Sequence, residues 1–384
     1  MTNSFRMELN FWGVRGSIPT PAPENLGFGG NTTCLELRLA DDSIVVIDGG
    51  TGARKLGLSL LQRFPGQSLD VTFLMTHFHW DHIQGFPFFI PAYSPHNQIR
   101  IKGYEGARVG LQSVLTSQME SPFFPVSMQQ MPGYLQVEEL KDMVFHIGKV
   151  KVTVAFMNHP GICVGYRLDT SAGSVAFLPD HESYARMRLH PRAGGPATPA
   201  TEEFCRAEDR KLIEFLRDVD VLVLDSQYDE AEYQTHVGWG HSCYEDSVAT
   251  ALAAGAKQLF LFHHDPTHDD ARVSRMVAHA RELVAARRAL HPRHHRLARA
   301  GQRVKGLPQL DGVLQVALVA LARLGRHPHQ VGAGAEGRAL GRQHDHAHGR
   351  VVLPRRQGRP QLGQHVAVKG IAPLGAGERQ GADA

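Results

Sequence analysis

The C-terminal quarter of the chain lacks the residues from which a folded core is built. From position 291 to 384 there is no Phe, Trp, Tyr, Cys, Met, Ser, Thr or Asn, and Ile occurs once, at Ile371. A segment without aromatic residues and nearly without Ile buries too little apolar surface to offset its conformational entropy. We therefore predict one folded domain over residues 1–290, followed by a basic low-complexity tail over residues 291–384 that is disordered or translated out of frame.

The predicted folded domain also lacks an excess of basic residues. The whole chain has a formal net charge of +3, but the tail holds 15 Lys and Arg against 5 Asp and Glu. Residues 1–290 therefore carry 26 basic and 33 acidic residues. Proteins that bind a long polyanion use many Lys and Arg contacts. Nucleic acid is thus a possible but not a favoured partner.

Cysteine and long apolar runs are scarce as well. The four cysteines have no C-x-x-C spacing, which argues against a thiolate zinc site and against a disulfide framework. No apolar run reaches the roughly 18 residues of a membrane span, and the N-terminus has no charged start followed by an apolar segment. We expect a cytoplasmic protein without a membrane partner.

What the sequence does contain is a dense group of metal-binding side chains. Residues 71–75 are apolar or β-branched, which is typical of a buried strand, and T-H-F-H-W-D-H follows over residues 76–82. Neutral imidazole and carboxylate are ligands for Zn, Mn and Fe. Without a cation, four such groups this close together would lose hydration and repel one another. We interpret the segment as a metal site rather than a His-rich loop.

The pattern H-x-H-x-D-H resembles the metal signature of the metallo-β-lactamase superfamily. The resemblance implies an α/β fold, an αββα sandwich of two mixed sheets flanked by helices, with the site at one edge. It also implies three later ligands near strand ends: a His, an Asp and a His. His159, Asp180 and His263 stand at such positions. His181 and Glu182 compete with Asp180, and His264 competes with His263.

The resemblance further implies two divalent metal ions, with Zn as the first choice and Mn or Fe as alternatives. One ion would be held by His77, His79 and His159, the other by Asp81, His82 and His263, and Asp180 would bridge them. Asp48 lies in a Gly-rich turn and resembles the superfamily aspartate that orders the loops beneath the metals. The glycines of this turn do not form a known phosphate-binding pattern. We therefore expect that they allow the backbone to pass close to the metal site.

The segment G-H-S over residues 240–242 resembles the phosphodiesterase branch of the superfamily, which includes ribonuclease Z and the phosphoribosyl cyclic phosphodiesterases. There a histidine at this position contacts the scissile phosphate and aids the leaving oxygen, which implies the same role for His241. Residues 11–17 and 29–33 also resemble members of this branch. On that basis Arg15 and Asn31 are predicted to bind substrate.

Together these assignments predict a dinuclear-metal-dependent hydrolase that cleaves a phosphodiester, either a small cyclic nucleotide or a cyclic ribose phosphate. A metal-bridging hydroxide would attack phosphorus, Asp81 would orient it, and His241 would protonate the leaving alkoxide. The alternatives are a nuclease that processes tRNA or another nucleic acid, a lactone or thioester hydrolase, and a non-enzymatic di-iron sensor. A class B β-lactamase is disfavoured because its second metal site uses cysteine where this chain has Asp180. A homodimer is a further possibility.

Overall fold

The computed structural model describes residues 7–39, 43–104, 110–191 and 197–290, with side chains as far as residue 287, and three short strands beyond them. The description below concerns these residues.

Within residues 7–290, two mixed sheets of six strands each form the centre of the domain, and in each the strands lie in chain order; three tail strands extend these sheets to eight and seven strands. In the first sheet the first three strands pair antiparallel and the last four pair parallel. Its strands are β1 (Met7–Gly13), β2 (Cys34–Arg38), β3 (Ile44–Ile47), β4 (Asp70–Leu74), β5 (Gln98–Gly103) and β6 (Tyr134–Glu139).

The second sheet begins with antiparallel pairs and ends with parallel pairs. Its strands are β7 (Val144–Ile147), β8 (Val150–Phe156), β9 (Val164–Asp169), β10 (Ser174–Leu178), β11 (Val221–Asp225) and β12 (Gln258–Phe262). Strands β10, β11 and β12 are parallel neighbours and completely buried. Strands buried on both faces need apolar side chains on both, which explains why these segments are almost continuously apolar in the sequence.

The eight α-helices of the described residues lie on the outer faces of the sheets or in the loops at their edge. They are α1 (Gly52–Arg63), α2 (Trp80–Ile83), α3 (Leu111–Ser117), α4 (Tyr184–Arg188), α5 (Pro199–Phe215), α6 (Glu230–His236), α7 (Tyr244–Ala254) and α8 (Asp270–Leu290). None of them combines the length and the apolar character that crossing a membrane requires.

Three apolar cores lie between these layers of helices and sheets. The central core lies between the two sheets, where the rings of Phe11 on β1 and Phe260 on β12 are 5.1 Å apart. A second core packs α1 onto the outer face of the first sheet, and a third packs α5, α7 and α8 onto the second sheet. The predicted αββα sandwich is therefore confirmed.

The tail contributes only three short strands to the described structure. They are β13 (Gln315–Ala317), β14 (Gly349–Leu353) and β15 (Ala367–Lys369). Strand β13 pairs with β12, β14 pairs with β1, and β15 pairs with β14. The rest of the tail lies outside the described residues, so its disordered or out-of-frame character stays a prediction.

Candidate metal centre

The sandwich brings several strand ends to one edge, and the predicted ligands lie there. Parallel neighbours such as β10, β11 and β12 present their carboxyl ends on the same side of a sheet. Asp180 follows β10, and His263 directly follows β12. His159 follows β8, while the H-x-H-x-D-H segment leads from β4 into the short helix α2. The local sequence thus places each ligand where a rigid strand gives way to a loop.

Four of the predicted ligands form a first donor group, with their ligand atoms all within 4.8 Å of one another: His77, His79, His159 and Asp180. His79 Nδ1 lies 3.0 Å from His159 Nε2. Asp180 Oδ2 lies 3.6 Å from Nε2 of both His77 and His159. These distances are short enough for one cation to be shared by the four side chains.

The other three form a second donor group: Asp81, His82 and His263. Asp81 Oδ2 lies 3.1 Å from His263 Nε2 and 3.3 Å from His82 Nε2. Asp180 also reaches this group, with Oδ1 3.1 Å from His82 Nε2 and Oδ2 3.4 Å from His263 Nε2. The structure therefore brings all seven predicted ligands together and puts Asp180 between the two groups.

Several of these imidazoles are oriented by a partner on the nitrogen that faces away from the centre. Such outer contacts fix the ring and its tautomer. The contacts are His82 Nδ1 to Asp48 Oδ2 at 2.8 Å, His159 Nδ1 to the Gly240 carbonyl at 2.9 Å, and His263 Nδ1 to Gln227 Oε1 at 2.8 Å. In each case the Nε2 atom is left facing the donor group.

Asp48 also ties two strand ends together. Its carboxylate accepts hydrogen bonds from the backbone N–H and the hydroxyl of Thr76, both at 2.8 Å. Thr76 precedes His77, so a single buried carboxylate joins the turn after β3 to the metal-binding segment and to His82. This arrangement agrees with the predicted ordering role of Asp48.

The donor atoms fit divalent cations in both geometry and charge. His77 Nε2, His82 Nε2 and Asp180 Oδ1 are buried, and none has a hydrogen-bond partner of suitable geometry in the described structure. Buried polar atoms without partners are costly, so groups of them call for a ligand. Burial lowers the pKa of His77 and lowers that of His159 to about 4, which keeps both imidazoles neutral.

The carboxylates are held in the complementary charged form. Although burial opposes ionisation, the neighbouring imidazoles of His82 and His263 lower the pKa of both Asp81 and Asp180. Despite burial, the same carboxylates raise the pKa of His82 and raise that of His263 to about 9. Neutral imidazole and ionised carboxylate are the forms that bind metal, so a bound cation would displace a proton from each of these two rings. This set of N and O donors accepts Zn, Mn and Fe, and it does not select among them.

The three alternative ligands, His181, Glu182 and His264, lie outside the donor groups. The His264 ring packs against Phe28, with ring centroids 6.3 Å apart. Nδ1 of His181 accepts a hydrogen bond from the Asn158 backbone N–H, and Glu182 accepts hydrogen bonds from the backbone N–H groups of Gly238 and Gly240. None of the three belongs to a donor group in the part of the chain that the structure describes.

His241 lies beside these two donor groups, forms a third one with Asp180 and His263, and is held by a carboxylate that the sequence analysis did not select. Its Nδ1 is 2.7 Å from Asp225 Oδ2 and 3.9 Å from Asp180 Oδ2, and its ring stacks on that of His263 at 4.7 Å. The preceding Gly240 has a φ of 88°, and a Cβ there would overlap Nδ1 of His159. Glycine is required at this position by both backbone conformation and space.

An open cavity of about 410 Å³ lies over these groups. It is lined by Ser17, Phe78, His79, Trp80, Asp81, Asp180, His241 and His263. The backbone N–H of Ser17 donates to Asp81 Oδ2 at 2.7 Å. Among the residues that the structure describes, the lining contains no Lys or Arg, and bound cations would supply the positive charge that a phosphate requires there.

The two predicted substrate-binding residues do not line this cavity. The Arg15 guanidinium is fully buried, donates to the carbonyls of Gly29 and His268, and lies 3.6 Å from Asp270. The Asn31 amide donates to the Trp12 carbonyl at 3.3 Å. Arg15 joins loops of the domain to one another, and Asn31 joins its loop to the end of β1, so this geometry argues against the predicted contacts with substrate.

Asp225 and Gln227 are the residues that the sequence analysis missed. Asp225 ends β11 and holds His241, while Gln227 holds His263. The signal was available, because residues 225–228 follow a buried strand in the same way as the selected ligands. The resemblance implied only three later ligands, and residues that hold a histidine in place are not among them.

Comparisons with known proteins agree with this architecture. A family model described as "Beta-lactamase superfamily domain" matches residues 44–264, more than half of the chain. Ribonuclease Z of Thermoplasma acidophilum is 27% identical over 294 residues, which cover 70% of this chain and 89% of that protein.

Two solved structures share the fold. The metallo-β-lactamase fold protein YhfI of Bacillus subtilis superposes with a TM-score of 0.50 and 15% identity, covering 81% of this chain and 96% of its own. Unliganded yeast PDE1 superposes with a TM-score of 0.50 and 13% identity, covering 82% and 97%. At these identities the likeness concerns the fold alone.

Proposed function

The chain belongs to the β-lactamase superfamily as a metal-dependent hydrolase, and from that premise we propose that it is a phosphodiesterase with two divalent metal ions. The predicted superfamily and enzyme class are confirmed by the family match. The reaction, the residue roles and the substrate are our proposals.

The observation that carries the proposal is the pair formed by His241 and Asp225 beside the donor groups. Cleavage of a phosphodiester releases an alkoxide, which needs a proton as it leaves. Because Nδ1 of His241 faces the buried Asp225 carboxylate, Nε2 is the nitrogen available to a substrate in the cavity. A protonated His241 held in this way would deliver that proton. A thioester releases a thiolate, which needs no proton as it leaves, whereas a lactone also releases an alkoxide, so the substrate panel below has to separate a lactone from a phosphodiester.

The remaining roles follow from the two donor groups. Two bound divalent cations would lower the pKa of a water molecule towards neutrality and offset the charge of a phosphate. His77, His79 and His159 would hold one ion, Asp81, His82 and His263 would hold the other, and Asp180 would contact both. Zn is our first choice, with Mn or Fe as alternatives. Asp81, fixed by the Ser17 N–H, would also orient the attacking water.

A small cyclic phosphodiester fits the cavity better than a long RNA. The cavity measures about 410 Å³, and no Lys or Arg is found among the described residues that line it. RNA binding normally relies on many basic contacts. An RNA-processing nuclease is the second candidate, and the similarity to the ribonuclease Z of Thermoplasma acidophilum favours it.

The test combines metal analysis with a substrate panel. We expect two divalent ions per chain by elemental mass spectrometry. We also expect hydrolysis of bis-p-nitrophenyl phosphate and of at least one cyclic nucleotide, with no turnover of precursor tRNA, a lactone or a thioester. Because general acid catalysis contributes roughly 10²- to 10⁴-fold, His241→Ala should lower kcat on the cyclic nucleotide by about that factor and keep both ions.

His146→Ala is the matched control, since this histidine is exposed on β7. Turnover of a lactone or thioester alone would overturn the proposal, and so would full activity of the His241 variant. Efficient cleavage of precursor tRNA would favour the second candidate. Bound iron without any hydrolysis would support the di-iron sensor.

A further inference from the structure

Trp80 occupies an unusual place for a large aromatic side chain. It is 81% exposed, whereas the next two residues, Asp81 and His82, are 5% and 0% exposed. It also lines the cavity above the donor groups. In the described part of the chain, no hydrogen bond and no ring contact involves its indole.

The local backbone explains how Trp80 reaches this place. His79 has an extended conformation and caps α2, and Trp80 is the first helical residue. Consecutive helical residues point about 100° apart, so the turn that carries Asp81 and His82 inward leaves Trp80 at the mouth of the cavity. An indole contributes to stability mainly by being buried. Packing therefore gives no reason for a tryptophan here, and its exposed face is available to a ligand.

The surroundings indicate what kind of ligand this is. Phe78 lines the same cavity, so two aromatic side chains flank the donor atoms of His79 and Asp81. Every nucleobase has a flat aromatic face that stacks on such side chains without a need for specific hydrogen bonds. A cyclic ribose phosphate without a base offers only the small, non-planar surface of its sugar ring, which covers less of an exposed indole than a nucleobase does.

Resting on the proposed phosphodiesterase function, we infer that Trp80 is a stacking surface for the base of a nucleotide substrate. The substrate class is then a nucleoside phosphodiester such as a cyclic nucleotide, rather than a base-free cyclic ribose phosphate. The phosphate would lie over the two donor groups, and the base would lie against Trp80 at the mouth of the cavity.

Tryptophan fluorescence tests the inference without any turnover. The chain has three tryptophans, and Trp12 is buried. Metal-loaded protein would be titrated with 5′-AMP and, as the base-free match, with ribose 5-phosphate. We expect 5′-AMP to quench the native protein and Trp239→Phe, and to leave Trp80→Phe without quenching. Equal quenching of Trp80→Phe and the native protein would overturn the inference, as would equal quenching of the native protein by ribose 5-phosphate.

Kinetics supply a second readout. The specificity ratio compares kcat/KM for 2′,3′-cyclic AMP with kcat/KM for a base-free cyclic ribose phosphate. We expect Trp80→Ala to lower this ratio about tenfold, which corresponds to about 1.4 kcal/mol, and Trp80→Phe to recover most of it. Phe123→Ala is the control, because Phe123 is 83% exposed and does not line the cavity. An unaltered ratio in Trp80→Ala would contradict the inference.

The two proposals can fail separately. If the native protein cleaves neither diester, the phosphodiesterase proposal fails, and the fluorescence titration still decides whether Trp80 binds a base. If both diesters are cleaved and the ratio does not depend on Trp80, the phosphodiesterase proposal stands and the inference falls.

Discussion

Replacing Asp225 with asparagine is expected to slow catalysis while both metal ions stay bound. Asp225 is fully buried and belongs to neither donor group. Its Oδ2 lies 2.7 Å from His241 Nδ1 and accepts from the His181 N–H at 3.1 Å, and its Oδ1 accepts from the Gln227 N–H at 3.1 Å. An asparagine amide group can accept on one side only. In either orientation its NH₂ group meets an N–H donor, and the negative charge beside His241 is lost.

The size of the effect follows from that lost contact. A hydrogen bond to a charged group contributes about 1.5–3 kcal/mol. If the contact is made to the protonated imidazole as it delivers its proton, the loss corresponds to roughly a 10- to 150-fold decrease in kcat. The effect should depend on the leaving group, because His241 matters only when the departing oxygen needs a proton.

The assay therefore compares two leaving groups. Asp225→Asn should lose about 10- to 150-fold on a cyclic nucleotide, which releases an alkoxide, and much less on bis-p-nitrophenyl phosphate, which releases a stabilised phenoxide. Asp70→Asn is the matched control, because the Asp70 side chain is 56% exposed and pairs with Arg100 at the surface. An equal loss on both substrates, or a loss of metal, would refute the reasoning and leave Asp225 with a structural role.

Three other outcomes are expected. His263→Ala should lose about one metal ion per chain by elemental analysis, whereas His264→Gln should keep both; loss of metal from the His264 variant alone would reverse the assignment. Gly16→Ala should lower the free energy of unfolding in urea by about 1–3 kcal/mol and weaken metal binding. The reason is that the added Cβ would overlap Cε1 and Nδ1 of His263. An unfolding free energy equal to that of the native protein would contradict this. Burial lowers the pKa of His181 from 6.5 to about 4. The unfolded chain thus binds more protons in this range, so His181 contributes stability above pH 6.5 that is lost as the pH falls towards 4. His181→Gln should flatten the pH dependence of the urea midpoint of the metal-free protein over that range, and an unaltered curve would exclude this contribution.

The resemblance carried by H-x-H-x-D-H implied the fold and the kind and order of the later ligands, and local signals in the sequence then located the candidate residues. A buried strand reads as a short apolar run, and a ligand at the end of such a run stays close to the sheet edge. His159, Asp180 and His263 are far apart in the sequence, yet each lies within three residues of the end of one of these runs, so the meeting of the strand ends brings them together.

Arg15 and Asn31 show where this reasoning stops. Both lie in N-terminal loops whose path over the domain is set by distant contacts. Arg15 contacts Gly29, His268 and Asp270, and no sequence pattern predicts these partners. An arginine near a predicted phosphate site has the chemistry for substrate binding, but this one is buried, donates from Nε and Nη1 to backbone carbonyls and turns Nη2 towards Asp270. Only the three-dimensional structure reveals these contacts.

The backbone conformation of three residues at the metal centre could not be predicted from the sequence either. Ser17, Asp48 and His263 have φ values of 63°, 62° and 61°, a left-handed region in which glycine is expected. Each such residue costs roughly 1–2 kcal/mol, and it persists only when its surroundings determine it. At each of these three positions the residue makes a contact at the centre. Asp48 and His263 use side chains that glycine lacks, and Ser17 uses a backbone N–H whose direction depends on the left-handed conformation. Asp48 holds His82, His263 offers its imidazole to the second donor group, and the Ser17 N–H is aimed at Asp81. All three residues lie at one edge of the sandwich, in loops that are anchored by the ends of the strands. The two sheets can therefore hold the backbone of these loops in the left-handed conformation. The chemistry of the centre, rather than the preference of the backbone, determines which residues stand there.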